Sequence, residues 1–295
     1  MRRWLTGLAA LILIGTALAL GLTRPRHLDA AAVAAVAPDL ARGAYLFDAA
    51  GCASCHAAPE ATGDARLVLA GGRRFSTTFG TFVAPNISPD PKAGIGDWPL
   101  AEIADAVMLG SGRHRHLYPV LPYPEYGRAR LADIVSLAAY QKTLPPDPTP
   151  SQPQEIGFLF NIRAGLGLWK WLYAGRGWVL ADPADPQTER GRYLVEALGH
   201  CGECHTPRTL LGGLDRSRWL GGAPDPSGKG RIPNISPGGL DWSADDIASF
   251  LETGLKPDFD SAGSSMAEVI RNTARLTPED RGAIAAYLKA IPPVR

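Results

Sequence analysis

Cysteine and methionine are scarce in this chain: 295 residues contain four Cys and three Met. All four Cys fall in two C-x-x-C-H pentapeptides, Cys52-Ala53-Ser54-Cys55-His56 and Cys201-Gly202-Glu203-Cys204-His205. No thiol is left over for a disulfide framework or a further cysteine ligand. Charge of one sign is also lacking. The formal net charge is +1, with Lys and Arg interspersed among Asp and Glu, so there is no basic patch for nucleic acid and no strong global field to gather partners. Sustained period-two alternation is absent, and with it the βαβ context that a thioredoxin-like dithiol would need.

Each pentapeptide is chemically complete for covalent haem attachment. Two thiols stand at the spacing needed to add across the haem vinyl groups, and the adjacent imidazole can serve as proximal iron ligand. A zinc site would want four N/S ligands in closed geometry. The expectation is two c-type haems, held by Cys52 and Cys55 and by Cys201 and Cys204, with iron on His56 and His205.

The chain repeats itself with a spacing of about 150 residues, the size of a duplicated domain. Arg42-Gly43-Ala44-Tyr45-Leu46 returns as Arg190-Gly191-Arg192-Tyr193-Leu194, and Pro85-Asn86-Ile87-Ser88-Pro89 returns unchanged as Pro233-Asn234-Ile235-Ser236-Pro237. Asp97-Trp98 leads to Gly110 as Asp241-Trp242 leads to Gly254. Local signals are helical: Thr277 with Pro278 begins a stripe of Ile284, Tyr287, Leu288 and Ile291, and Ser243 caps a segment stopped by Gly254. The expected fold is all-α, two tandem class I-like cytochrome c domains at 39–147 and 189–295. A signal anchor or transmembrane helix (1–22), a tether (23–38), and a Pro-rich linker with an aromatic helix (148–188) complete the division. The aromatic segment Gly157–Tyr173 reads as a helix packed between the domains, or as a docking face for a partner or a membrane surface.

Thioether-bound haem implies the outer side of an energy-transducing membrane. The uncharged run Trp4–Leu22 follows Arg2 and Arg3 and approaches the about 20 residues that span a bilayer. Ala17-Leu18-Ala19 offers the alternative of a cleaved signal peptide. The apolar run continues past it to Leu22, which favours an uncleaved anchor.

What fills the open iron face decides between electron transfer and chemistry at the metal. Met266 lies in a loop after the second motif, so His205/Met266 is expected to be a high-potential electron-transfer pair. In the first half, Leu121 occupies the ligand position of Tyr118-Pro119-Val120-Leu121-Pro122-Tyr123, and a hydrocarbon cannot bind iron. Three possibilities stay open: His116, preferred; His114; or an open or water-bound iron. Met108 falls on the outward side of a helix. Asn86, Asn234, Trp98 and Trp242 are candidates to bond haem propionates, with core packing as the alternative for the tryptophans. The carbonyl of Pro207 is a candidate acceptor for the second ring nitrogen of His205.

The paired motifs, the P-N-I-S-P loops, the Tyr118–Tyr123 loop and Gly199–Arg208 resemble the membrane-anchored dihaem cytochromes c that accompany periplasm-facing dehydrogenases for alcohol, aldehyde and gluconate. That family usually has Met in place of Leu121. The resemblance implies a periplasmic, membrane-anchored respiratory electron carrier whose partners are a dehydrogenase subunit, a cytochrome or an oxidase. A dihaem peroxidase-like enzyme, reacting at an open first haem, is the alternative from another class.

Overall fold

The computed structural model describes residues 2–226, 228 and 230–295, which leaves Met1 outside the described residues. The first half contains α1 (Arg2–Leu22), α2 (Ala30–Ala34), α3 (Leu40–Ala49), α4 (Cys52–His56), α5 (Leu100–Leu109), α6 (Tyr123–Tyr126) and α7 (Leu131–Gln141). The second contains α8 (Gly165–Tyr173), α9 (Pro186–Tyr193), α10 (Gly202–His205), α11 (Ala244–Thr253), α12 (Ser264–Thr273) and α13 (Pro278–Ala290). The caps read from sequence are formed. Ser243 and Asp246 make a reciprocal capping box, and Gly254 at φ 74° ends α11. Thr277 accepts the Asp280 amide, and Ile284, Tyr287 and Leu288 form the buried stripe of α13.

The fold is mainly α rather than all-α. β1 (Arg74–Thr77), β2 (Gly80–Val83) and β3 (Glu155–Ile156) form a three-stranded antiparallel sheet, and β4 (Ala223–Pro224) pairs with β5 (Arg231–Ile232). Strands of two to four residues are too short to leave a period-two signature.

The repeated Arg-Gly-x-Tyr-Leu segments acquire a physical meaning in the packing. Where α3 crosses α7, a Cβ on Gly43 would come within 2.2 Å of the Ser136 carbonyl oxygen; where α9 crosses α13, one on Gly191 would come within 1.9 Å of that of Ala283. Only glycine permits so close an approach. One residue earlier, Arg42 pairs with Asp133 (2.8 Å) and Arg190 with Asp280 (2.7 Å), each within its own half. Two residues later the tyrosines reach across: Tyr45 donates to Asp280 and Tyr193 to Asp133, both at 2.5 Å. The halves are thus clasped reciprocally. One apolar core runs through both, with Leu46, Tyr126 and Ile134 from the first and Leu198, Trp219 and Tyr287 from the second.

The segments expected to be a tether and a linker are bound along the body. His27 pairs with Asp105 (2.7 Å), the Leu28 amide donates to the same carboxylate, and Val33 is buried. After α7, Asn86 donates to the carbonyls of Asp147 and Thr149, and Gln154 bonds both polar backbone groups of Val83. Such side-chain bonds to backbone hold a proline-rich stretch that lacks donors of its own.

Among the described residues no helix is long and apolar enough to cross a membrane. α1 does leave Trp4, Leu8, Leu11, Ile12 and Leu18 more than half exposed.

Candidate haem-attachment sites

α4, and α10 together with its N-cap residue Cys201, each place two thiols and an imidazole on one helical turn, and the backbone groups that hold the two imidazoles correspond. The Nδ1–H of His56 donates to the Pro85 carbonyl at 3.0 Å, and that of His205 to the Pro233 carbonyl at 2.8 Å. The backbone oxygens of the same histidines accept from Gly71 and Gly222, each at 2.7 Å. Both glycines lie in the left-handed region, at φ 77° and 82°. Each ring is therefore fixed in one tautomer and orientation with Nε2 free to ligate, the outer-shell arrangement common to metal-bound histidines. Burial pushes both imidazoles toward the neutral, ligating form. The acceptor for His205 is the first proline of the P-N-I-S-P loop and not Pro207, and His56 has its counterpart in Pro85. The repetition of that loop in the sequence was the available signal.

The thiols fit covalent attachment and not redox exchange. No disulfide joins them. Burial pushes Cys52 up to about 12 and Cys55 up to about 11, and Cys201 also up to about 12, whereas a reactive dithiol needs a depressed value. Among the described residues no group of three or more His, Cys, Asp or Glu is placed to hold a metal ion. The ring of His200, next to Cys201, lies 3.3 Å from the carbonyl of Ala50, two residues before Cys52, so the two attachment turns lie close together.

The polar residues between the turns were not singled out in the sequence. His200, at φ 41°, sets its ring edge-on to Tyr126 at 5.6 Å, and both bond the Ala50 carbonyl beside the first motif. Glu203 pairs with Arg208. Burial and the adjacent Glu203 push the carboxyl of Glu125 well above its ordinary range.

The remaining expected site residues divide. The amide of Asn86 is committed to Asp147 and Thr149, and that of Asn234 donates to Val294, so both pin the P-N-I-S-P loops to the ends of their halves. Trp242 packs on Phe250 at 5.2 Å. Trp98 carries the Arg113 guanidinium over its ring at 5.1 Å and lines, with His114, Arg115 and Leu117, an open cavity of about 430 Å³. Met266 sits in the first turn of α12 rather than in a loop, half-buried against the shared core. Met108 and Leu121 pack against the same core. The Nε2–H of His116 donates to the Thr23 carbonyl at 2.7 Å, while its Nδ1 is buried with no partner among the described residues.

No protein-family model matches the chain. It is 53% identical to a diheme c-type cytochrome of Cereibacter sphaeroides over 295 residues, the whole of both chains. It is 38% identical over 264 residues to the cytochrome subunit of a fructose dehydrogenase from Gluconobacter japonicus, covering 86% of this chain and 53% of that one. With the cytochrome c subunit of a quinone-dependent alcohol dehydrogenase from Komagataeibacter europaeus it shares 35% over 268 residues, 86% of this chain and 56% of the other. The chain thus spans about half the length of these last two relatives. Full-length likeness to a diheme cytochrome joins two complete attachment turns with equivalent histidine supports, and the chain belongs to the dihaem c-type cytochromes and carries two covalently bound c-type haems.

Proposed function

We propose that this cytochrome carries single electrons from a dehydrogenase or quinol-oxidising complex to a terminal acceptor on the periplasmic side of a bacterial membrane. The observation that carries this reading is the pair of matched histidine turns set close together on one shared core. A c-type haem, when bound, supplies a one-electron iron couple whose potential follows its axial ligands and burial. The chain's own part is to hold the proximal imidazoles rigidly and to fix the halves, so that little rearrangement accompanies a change of charge. Dehydrogenase partnership is supported by the names of the relatives, which are cytochrome subunits and not peroxidases.

The repeated elements support two tandem cytochrome c domains, 39–147 and 189–295. Met266 is the proposed second ligand of the His205 iron. For the first iron His116 is the proposed ligand, now through Nδ1: its Nε2–H is already engaged by the Thr23 carbonyl, and its Nδ1 lone pair is buried and unpartnered. A ligating imidazole that donates its other N–H to a carbonyl is the usual arrangement. α1, with Trp4, Leu8, Leu11, Ile12 and Leu18 exposed, is proposed to remain on the mature protein and to hold the chain to lipid. Redox titration of the full chain should give two one-electron steps, and the reduced protein should be reoxidised by a c-type acceptor. Turnover of hydrogen peroxide at an open first haem, without such steps, would overturn the carrier reading.

A further inference from the structure

The segment between the halves is only partly used in packing. On α8, Gly167 meets the end of α1: a Cβ there would lie 2.2 Å from the Thr23 carbonyl oxygen. Lys170 turns inward to the carbonyls of Leu109 and Gly110, and the Trp169 indole N–H bonds Leu211. The opposite face stays bare. Leu168, Trp171 and Leu172, spaced i, i+3, i+4, are exposed, with Trp171 at 79%. Phe158 at 81% and Leu210 at 100% are exposed on the preceding turn and on the loop whose Leu211 carbonyl accepts from Trp169. An apolar surface of this extent is unusual for a protein without a partner there.

The charges around it name the partner. From Ile156 to Ala181 the chain has no Asp or Glu, and residues 2–28 have none either. The bases present include the exposed Arg24, Arg26 and Arg176. Aromatic and aliphatic side chains on segments that carry bases and no carboxylate of their own suit the headgroup boundary of an anionic bilayer. The helix that carries the patch is tied to the end of α1 by the Thr23–Gly167 contact.

We propose that the exposed face of α8, with Phe158 and Leu210, is a membrane-contact surface that lies in the interface of an anionic bilayer beside the point where α1 enters it. Its orientation rests on the reading of α1 as lipid-embedded. Electrons would then be exchanged within a fixed distance of the membrane surface.

The test is lipid photolabelling of the full-length haem protein. The chain is reconstituted in vesicles of phosphatidylcholine and phosphatidylglycerol doped with a diazirine phospholipid, and the adducts are mapped by mass spectrometry. Adducts are expected in both 4–22 and 157–173, with the second set lost in a Phe158→Glu, Trp171→Glu double variant of unchanged haem content. Adducts in 4–22 alone would overturn the membrane-contact surface and leave the anchor standing. Adducts in 157–173 alone would support the surface and overturn the anchor. Labelling of neither would overturn both.

Discussion

Asn272, on the helix that carries Met266, donates its side-chain amide to the hydroxyl of Ser54, between the two thiols of the first motif, at 2.7 Å. α12 therefore has two working faces. Met266, Ile270 and Thr273 turn toward the second half, where the Thr273 hydroxyl bonds the Leu251 carbonyl. Glu268 and Asn272 turn toward the first, where Glu268 pairs with Arg66 at 2.9 Å. One helix is tied to the first attachment turn and to α11 of the second half.

Replacement of Asn272 by Ala should cost about 1 kcal/mol, the usual worth of one such bond. Ser54→Ala should cost a similar amount. The double variant should be no worse than the poorer single one, since both remove the same bond. Chemical denaturation followed by Soret absorbance measures this, and additive losses would show that the contact is energetically idle.

The reciprocal clasp predicts an acid limit to stability. Burial alone would raise Asp280 and Asp133, yet hydrogen bonds from Arg190 and Tyr45, and from Arg42 and Tyr193, hold both below the ordinary carboxylate range. A depressed folded value means stability that is present above the unfolded value of about 3.9 and lost as pH falls through the lower folded one. Asp280→Ala should cost about 3 kcal/mol at neutral pH by stranding Arg190, and Tyr45→Phe about 1 kcal/mol. Both variants should show a flatter acid transition than the parent in thermal melts from pH 6 down to about pH 3.

Gly71→Ala tests the support of His56. The position is left-handed, and a Cβ would meet the Ala84 carbonyl oxygen at 2.5 Å. The bond from its amide to the His56 carbonyl should be lost, at a cost of about 2 kcal/mol or more. The fraction of protein carrying the first haem should fall in denaturing mass spectra, which for the parent should show a polypeptide heavier by two haems. Full double loading of the variant would refute the role given to Gly71.

The proposed ligands Met266 and His116 predict unlike haems. Met266→Leu should abolish the far-red methionine–iron absorption and lower the potential of the second haem, because sulfur ligation favours Fe(II) relative to nitrogen. His116→Ala should leave that band in place and open the first iron to carbon monoxide. Carbon monoxide binding by the parent, unchanged in His116→Ala, would remove His116 from the ligand set.

The sequence alone determined what is local or covalent. Two C-x-x-C-H motifs specify thioether attachment and a proximal imidazole whatever surrounds them, and the caps at Ser243 and Thr277 with the stop at Gly254 set helix ends through bonds spanning only a few residues. Repetition of the P-N-I-S-P loop also announced the matching proline carbonyls that hold His56 and His205. Only the tertiary structure decided the long-range partners. Which carbonyl holds His205, why Arg-Gly-x-Tyr-Leu recurs, and that Tyr45 and Tyr193 cross between halves depend on helices brought together across more than two hundred residues in the case of Tyr45 and Asp280. The shared core that brings them together carries no imprint in the spacing of either half, because each half satisfies its own helical period whether or not the other is present.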